Sequence, residues 1–252
     1  MSLICIIKQY YNILWVNQSN VLWSGLMTNV FITGANRGLG LEFVKQYLTL
    51  GHYVYAACRD PKQAKELHQI QDKNLEILKL DVSSTKDLQA IKSKLGNKPI
   101  DILINNAGIW RGGEIGSINE KDWLHSFAVN TIAPIKIAEG LLDNIKSGHL
   151  KKIVSITSKM GSIDDNTSGG SYIYRSSKSA LNSAMQSLRH DLSGHDIATL
   201  TLHPGWVRTD MGGPGGWIDV EESVGGMIRV INNLNLKNSG QYLDYAGKLI
   251  NW

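Results

Sequence analysis

The sequence predicts an α/β fold in a single domain, a doubly wound parallel sheet with helices on both faces. From Asn29 onward, short apolar runs rich in Val, Ile and Leu alternate with longer stretches of helical character, the order typical of a parallel sheet. Most of these runs are too continuously apolar for strands with one face in solvent, so they suit a sheet covered on both faces. The 252 residues, 42% of them hydrophobic, are enough for one large core.

Six strands and five helices are predicted in alternation. The strands are residues 29–33, 52–58, 75–80, 101–105, 152–157 and 197–203. The helices are residues 39–50, 62–70, 85–95, 120–146 and 174–192. Pro134 lies inside the fourth helix and should kink it, unless the helix begins there. Glu221 and Glu222 are interpreted as the solvated first turn of a late helix.

Composition excludes several classes of protein. The net charge of +4 is spread along a chain with no run of five like charges, which argues against a nucleic-acid partner. No apolar run reaches the roughly 18 residues that span a bilayer, so no membrane segment is expected. Cys5 and Cys58 form no C-x-x-C, which argues against a disulfide scaffold or a zinc site. A reducing, cytoplasmic setting and no metal are therefore predicted.

Residues 1–26 are interpreted as an N-terminal extension ahead of a domain that covers residues 27–252. Lys8 interrupts the apolar residues of this segment, which does not suit a secretory signal. The segment contains no Arg, which does not suit a mitochondrial presequence. An extension, or translation from an upstream start ahead of Met27, is the interpretation that remains.

A glycine-rich turn joins the first predicted strand to the first helix. Its sequence at residues 33–40 is T-G-A-N-R-G-L-G. Glycines let the backbone approach a pyrophosphate, whose charge is met by the N–H groups and dipole of the helix N-terminus. Tight packing of strand and helix without a ligand is the alternative, but the position after the first strand favours a dinucleotide. The candidate residues are Gly34, Asn36, Arg37, Gly38, Leu39 and Gly40.

Two arginines favour NADP(H) over NAD(H). Arg37 in the turn and Arg59 at the end of the second strand lie where a 2′-phosphate would sit, and a guanidinium suits a pair of phosphate oxygens. Asp60 also follows that strand, but Asp60-Pro61 is interpreted as a helix N-cap followed by proline. Two solvated arginines remain the alternative to a phosphate site.

Tyr174 and Lys178 are four residues apart and therefore share one face of the predicted last helix. An adjacent cation is expected to lower the pKa of the phenol, so that Tyr174 can exchange a proton with a substrate oxygen. Tyr172 is a rival whose partner four residues on is Ser176, which carries no charge. An exposed face of an amphipathic helix is the alternative.

Several ordered motifs resemble those of the short-chain dehydrogenase/reductase family over nearly all of residues 27–252. T-G-A-N-R-G-L-G is similar to the family's cofactor turn, Asp81-Val82 to the pair that meets the adenine, and residues 105–108 to its N-N-A-G motif. The resemblance implies a Rossmann-type fold and NADP(H) as cofactor. Besides the turn and Arg59, it implies cofactor contacts at Asp81, Val82, Asn106, Ala107, Gly108, Tyr174, Lys178, Pro204, Gly205, Val207 and Thr209.

Within the family, three details look most like sniffer-type carbonyl reductases and C-factor-like proteins. They are the stretch from Gly161 to Tyr174, the segment H-P-G-W-V-R-T-D-M at residues 203–211, and Trp252. Ser158 and Tyr174 are 16 residues apart, more than is usual in the family, so an inserted loop is expected to bulge between them. Ser155 and Ser162 are the alternatives to Ser158.

The resemblance implies NADPH-dependent reduction of an aldehyde, ketone or quinone, with Asn130, Ser158, Tyr174 and Lys178 as catalytic tetrad. Tyr174 would donate a proton, and Ser158 would polarise the carbonyl. Lys178 would lower the pKa of Tyr174 and hold the nicotinamide ribose. Asn130 would anchor a water relay, or else be a helix-interior amide bonded to backbone. An NAD-linked alcohol dehydrogenase and a non-catalytic dinucleotide-binding regulatory module are the alternatives.

The expected partners are a small carbonyl substrate and a second copy of the chain. The resemblance implies pairing through the helices that are here residues 120–146 and 174–192, so a homodimer or homotetramer is expected. Residues 211–217 are interpreted as a glycine-hinged lid, with Trp206 and Trp217 lining an apolar pocket; a flexible surface loop is the alternative. Trp110 is either near the crevice or structural. His203 is interpreted as a core histidine with its hydrogen bonds satisfied.

Overall fold

The structure is a computed structural model that describes residues 27–252; the extension 1–26 and Cys5 lie outside the described residues. Seven parallel strands form one sheet in the order β3-β2-β1-β4-β5-β6-β7. They are β1 Asn29–Thr33, β2 Tyr53–Cys58, β3 Leu75–Lys79, β4 Ile102–Asn105, β5 Lys152–Ile156, β6 Ala198–His203 and β7 Gln241–Asp244. The predicted doubly wound fold is confirmed, and β7 is an addition to the six predicted strands.

Eight α-helices connect and follow the strands within the described residues. They are α1 Gly38–Thr49, α2 Lys65–Gln69, α3 Thr85–Leu95, α4 Glu120–Phe127, α5 Ala133–Gly140, α6 Leu142–Lys146, α7 Tyr172–Leu192 and α8 Val220–Asn233. In place of the predicted helix 62–70, a 3₁₀ turn, Pro61–Gln63, is followed by the short helix α2. The Asp60 carboxylate accepts from the Lys62 amide at 3.1 Å, so the predicted N-cap is confirmed.

The predicted helix 120–146 is interrupted, and a helix begins next to Pro134, which is one of the two outcomes that the sequence allowed. A π-helical turn, Ala128–Ile132, separates α4 from α5, and a second break at Leu141 separates α5 from α6. Pro134 stands in the first turn of α5, where a residue without an N–H is tolerated. The irregularity takes the form of a π-helical turn just before Pro134, and Asn130 lies in this turn. Such turns are frequent at functional sites.

Each face of the sheet carries its own hydrophobic core. Val30 and Ile32 of β1 pack in the core that α1 and α8 cover, whereas Phe31 between them packs in the core that α3, α5 and α7 cover. Successive side chains of a strand point to opposite faces, so one strand serves both cores. Every strand runs in the same direction, and the carboxyl ends of the strands therefore meet at one edge.

Among residues 27–252, no helix is long and apolar enough to cross a membrane. The Cys58 thiol is free and buried. The cytoplasmic setting stays a prediction.

Candidate active site

A cleft of about 680 Å³ opens at the carboxyl edge of the sheet, where doubly wound sheets bind ligands. Most of the predicted site residues line it, including all six candidate residues of the glycine turn, and Tyr174 and Lys178 do so as well. The predicted residues on its wall are Gly34, Asn36, Arg37, Gly38, Leu39, Gly40, Arg59, Asp81, Val82, Asn106, Ala107, Gly108, Tyr174, Lys178, Pro204 and Thr209.

The glycine turn is packed against the segment that follows β4. Asn106 donates through Nδ2 to the carbonyl oxygens of Thr33 and Gly34, at 2.9 and 3.1 Å. A Cβ on Gly40 would lie 2.1 Å from the Gly34 oxygen and 2.6 Å from Asn106 Nδ2. The close packing that was the alternative interpretation of these glycines is therefore present. It coexists with the cleft, because the same turn forms the cleft wall.

Thr33 ties the turn to the same segment in the opposite direction. Its Oγ1 accepts from the amides of Asn106 and Ala107, each at 3.0 Å. The sequence argument did not assign this hydroxyl a role. A threonine at the end of a strand gives no signal of its own, since its partners lie more than 70 residues away.

Arg37 and Arg59 lie on the wall of the same cleft, which brings the two predicted phosphate ligands together. Arg37 Nη1 is 3.0 Å from Asp210 Oδ2, and both side chains are more than 70% exposed. Salt therefore screens this ion pair, which contributes little to stability. Asp210 was not predicted as part of the site.

Asp81 lies on the same cleft wall, near Arg59. Its carboxylate accepts from the Ser83 hydroxyl at 2.7 Å and from the Ser83 amide at 3.0 Å. These hydrogen bonds, the hydroxyl first and with help from Arg59 and His125, hold the pKa of Asp81 below its ordinary value against partial burial. His125 of α4 also lines the cleft; the sequence argument missed it.

Tyr174 and Lys178 line the cleft, whereas the other two members of the predicted tetrad, Ser158 and Asn130, do not. The Tyr174 and Ser158 side chains are hydrogen-bonded, and Lys178 Nζ lies 5.9 Å from the centre of the Tyr174 ring. The Lys178 ammonium also donates to the Ile156 carbonyl at 2.9 Å. The predicted pair Tyr174–Lys178 therefore faces the cleft, and the rival Tyr172 is 39% exposed.

The expected lowering of the Tyr174 pKa is wrong for this structure. Burial raises the pKa of Tyr174 to about 12, and the hydrogen bond from Ser158 opposes that shift without overcoming it. Burial lowers the pKa of Lys178 to about 8. Desolvation disfavours the charged form of each group, and burial is the largest cause of both shifts. Tyr174 is therefore a protonated phenol at neutral pH.

The hydroxyls of the other two serine candidates make hydrogen bonds to residues other than Tyr174. Ser155 is fully buried in the sheet, where its hydroxyl bonds Asn105 and Met185. The Ser162 hydroxyl accepts from the Asp165 amide at 3.1 Å. Of the three serines, Ser158 is the one that bonds Tyr174.

Asn130 is fully buried in the π-helical turn. Its Oδ1 accepts from the Ile109 amide and its Nδ2 donates to the Ile109 carbonyl, each at 2.8 Å. Nδ2 also donates to the Ser177 hydroxyl at 3.0 Å. The side chain is thus bonded to backbone, as the alternative interpretation holds, and a role in a relay would fall to its main chain.

The segment after β6 contributes Pro204 and Thr209 to the cleft wall, whereas Gly205 and Val207 do not line it. Val207 is buried and forms a β-bridge with Ile218. A Cβ on Gly205, whose φ is +85°, would lie 2.5 Å from the Ile218 side chain. These two residues therefore hold the segment in place behind the cleft.

Trp206 and Trp217 do not line the cleft, and the expectation that they would line an apolar pocket is not met there. Their rings meet edge to face at 5.2 Å on the protein surface, with Trp217 78% exposed. Trp206 Nε1 donates to the Gly212 carbonyl at 2.7 Å, which closes residues 206–212 into a compact loop. Met211 of this loop reaches the cleft wall.

His203 is not the satisfied core histidine that the sequence suggested. Its Nδ1 is buried without a hydrogen-bond partner in the described part of the chain. Burial, first of several causes, lowers the pKa of His203 to about 4, so the ring is neutral at physiological pH.

No group of three or more His, Cys, Asp or Glu side chains within residues 27–252 is placed to hold a metal ion.

Known proteins resemble this chain over most of its length. The family model described as short chain dehydrogenase matches residues 28–215. C-signal of Myxococcus xanthus is 40% identical over 168 residues, which make up 66% of this chain and all of that protein.

Solved structures agree with this match. The NADPH bound carbonyl reductase from chicken fatty liver superposes with a TM-score of 0.83 at 37% identity, over 90% of this chain and 100% of that one. The carbonyl reductase Sniffer of D. melanogaster has the same TM-score and coverage at 35% identity.

Proposed function

Since the chain belongs to the short chain dehydrogenase family, we propose that it is an NADPH-dependent oxidoreductase that reduces the carbonyl group of an aldehyde, ketone or quinone to an alcohol. The family prediction made from the motifs is confirmed. The observation that carries the finer proposal is the hydrogen bond between Ser158 and Tyr174, with Tyr174 on the wall of the cleft. The similar carbonyl reductase from chicken, which binds NADPH, supports it.

The cleft fits a phosphorylated dinucleotide. The turn at Gly34 and Gly38 has φ values of +63° and +52°, and the first N–H groups of α1 follow at once, as a pyrophosphate site requires. Arg37 and Arg59 would hold the 2′-phosphate, and Asp81 with Val82 would flank the adenine. Lys178 would bind the ribose next to the nicotinamide. When bound, NADPH supplies the hydride for the carbonyl carbon.

The proton comes from Tyr174. At neutral pH its phenol carries the proton that a carbonyl oxygen needs as the alcohol forms, which suits the direction of reduction. The Ser158 hydroxyl donates a hydrogen bond to the same oxygen and so stabilises the negative charge that develops there. Lys178, about 6 Å from the ring, favours the tyrosinate that is left behind.

The route that returns the proton to Tyr174 starts at Lys178 in this proposal. A Cβ placed on Gly108 would lie 3.5 Å from Lys178 Nζ and 3.3 Å from Asn130 Oδ1, so the ammonium and the π-helical turn flank the same glycine. Asn130 fixes that turn through Ile109 and Ser177. A water held by the turn's main chain would complete the relay.

Cofactor oxidation tests the proposal. We expect the protein to consume NADPH faster than NADH with a panel of quinones, diketones and aldehydes, followed by absorbance at the reduced nicotinamide band. Tyr174→Phe should lower kcat by about a hundredfold or more, because the general acid is lost. NADPH binding without turnover across the panel would favour the regulatory module instead, and a Tyr174→Phe variant as fast as the parent would exclude Tyr174 as the donor.

Arg59→Asp tests the choice of cofactor. The variant loses a charge-assisted bond to the 2′-phosphate and gains a carboxylate that can accept from ribose hydroxyls. The ratio of kcat/KM for NADPH to that for NADH should fall by about tenfold or more. The control is Lys62→Asp, which makes the same change of charge as Arg59→Asp. Lys62 lies on the neighbouring 3₁₀ turn and does not line the cleft. An unchanged ratio in Arg59→Asp favours the NAD-linked alcohol dehydrogenase.

A further inference from the structure

Tyr242 of β7 makes a contact with the proposed active site that no sequence motif indicated. Its buried hydroxyl donates to the main-chain carbonyl of Ser158 at 2.6 Å. Ser158 lies two residues beyond β5, past the ladder between β5 and β6, which ends at Ile156. Within the sheet, a strand carbonyl accepts a hydrogen bond from the amide of a neighbouring strand. The Ser158 carbonyl accepts from the Tyr242 hydroxyl instead.

The hydroxyl of Ser158 is fixed on the other side. Its Oγ accepts from the Met160 amide at 3.2 Å and is hydrogen-bonded to Tyr174. With the carbonyl held by Tyr242 and the hydroxyl held by Met160, both the backbone and the side chain of Ser158 are restrained. The direction of the hydroxyl thus depends on both contacts.

Tyr242 is itself held by two further groups. Its ring lies 5.2 Å from that of Trp252 with 34° between the planes, and its hydroxyl is hydrogen-bonded to Asn182 of α7. Trp252 also accepts, through its carbonyl, from the amide of Ile163. Trp252 therefore joins the ring of Tyr242 to the loop that follows Ser158.

We propose that Tyr242 is a positioning residue that orients the Ser158 hydroxyl toward Tyr174 and toward the substrate oxygen. The inference rests on the proposed function. The Tyr242 hydroxyl bonds the main-chain carbonyl of Ser158, so it acts through Ser158 and does not touch the reacting atoms. The alternative is that its hydroxyl does no more than satisfy a buried carbonyl.

A double-mutant cycle separates these two roles. Tyr242→Phe should lower kcat for carbonyl reduction by about fivefold to tenfold, the effect of one lost hydrogen bond, and leave the KM for NADPH unchanged. In a Ser158→Ala background, which lacks the hydroxyl to be oriented, the same change should alter kcat by less than about twofold, because residues that act together are not additive. Equal losses in both backgrounds, or no loss in the parent, would overturn the proposal.

Tyr47→Phe is the matched control. Tyr47 is a fully buried tyrosine of α1 whose hydroxyl has no hydrogen-bond partner in the described part of the chain, and it does not line the cleft. Removal of this hydroxyl should leave kcat unchanged. A loss of kcat equal to that of Tyr242→Phe would show that any buried hydroxyl matters, and would count against a specific role.

Hydrogen exchange decides the matter independently of turnover. In the protein without substrate, Tyr242→Phe should speed exchange of the amides in residues 157–164 relative to the parent and leave exchange in β1 unchanged. Exchange in residues 157–164 as slow as in the parent would overturn the proposal. If the parent reduces no carbonyl compound, the proposed function fails, yet this readout still shows whether Tyr242 orders Ser158. Should Tyr242→Phe not fold, Trp252→Leu at a half-exposed position should show the same local exchange and a smaller loss of kcat.

Discussion

At the scale of single residues, burial determines which form of each ionisable group the site presents. Burial raises the pKa of Tyr174 to about 12 and lowers that of Lys178 to about 8. The phenol therefore keeps its proton across the physiological range, while the amine loses its charge just above it. A protonated Tyr174 is what a proton donor for reduction requires. The loss of the Lys178 charge makes the rate of reduction sensitive to pH.

The kcat for carbonyl reduction should fall as the pH rises through about 8. Lys178 is charged below its lowered pKa, and its charge, which favours the departing proton of Tyr174, is lost above it. The measurement is kcat with saturating cofactor and substrate from about pH 6 to about pH 10. Lys178→Arg keeps a charge throughout this range, so its slower reaction should show no such fall. A parent profile that is flat over the same range would contradict the prediction.

Asp210→Asn should tighten NADPH binding by about twofold to fivefold at low salt, the usual range for a surface ion pair. Asp210 pairs with Arg37 at the cleft wall and thus competes with the 2′-phosphate for this guanidinium. Fluorescence titration with NADPH and NADH measures the effect, which should be absent for NADH and should shrink at high salt. An equal gain for both cofactors would place the effect of Asp210 elsewhere.

At the scale of elements, the site depends on how closely α1 and its turn approach the segment after β4. Asn106 and Thr33 bond the turn from both sides, and Gly40 leaves no room for a side chain. The π-helical turn between α4 and α5 positions Asn130 in the same way, through bonds to Ile109. Side-chain hydrogen bonds thus fix both irregular segments of backbone, the glycine turn and the π-helical turn.

Gly40→Ala should destabilise the protein by about 1–3 kcal/mol and weaken NADPH binding. The new methyl group would collide with the Gly34 carbonyl at 2.1 Å, and overpacking of this kind forces the backbone to shift. Urea unfolding and cofactor titration measure the two effects. Gly194→Ala, at a glycine with open space around it, is the control and should change neither. Unaltered binding in Gly40→Ala would show that the turn tolerates displacement.

At the scale of the whole molecule, the two edges of the sheet have different roles. The carboxyl edge carries the cleft, and the amino edge carries Asp101, which is 2% exposed. The Asp101 carboxylate accepts from the Asn29 amide at 2.7 Å and the His149 amide at 2.6 Å. It therefore joins β1 and the segment before β5 to β4. The homodimer or homotetramer stays a prediction.

Asp101→Asn should lower the free energy of unfolding by about 1–3 kcal/mol without changing kcat or KM. An amide nitrogen cannot accept a hydrogen bond, so one of the two groups of backbone donors is left unpaired in a buried place. Chemical denaturation, read beside steady-state kinetics, measures both quantities. A change in kcat at unchanged stability would show that the two edges of the sheet are coupled.

The sequence predicted the parts of the site that lie within one continuous motif. The turn at residues 33–40, the N-cap at Asp60 and the pair Tyr174–Lys178 each combine residue types at short, fixed spacings, so their local geometry follows from the sequence. It failed where the partner is remote or the segment is short. β7 has four residues and too little pattern to be recognised, so Tyr242 and its contact with Ser158 could not be predicted.

By itself, the sequence determined the doubly wound fold and the position of the glycine turn, because the alternation of apolar runs and the glycines are local properties of the chain. Only the tertiary structure decided which of three serines meets Tyr174, that Asn130 bonds backbone, and that the pKa of Tyr174 rises. Those outcomes depend on desolvation and on contacts between residues far apart in the chain, and both exist only once the sheet and helices have packed.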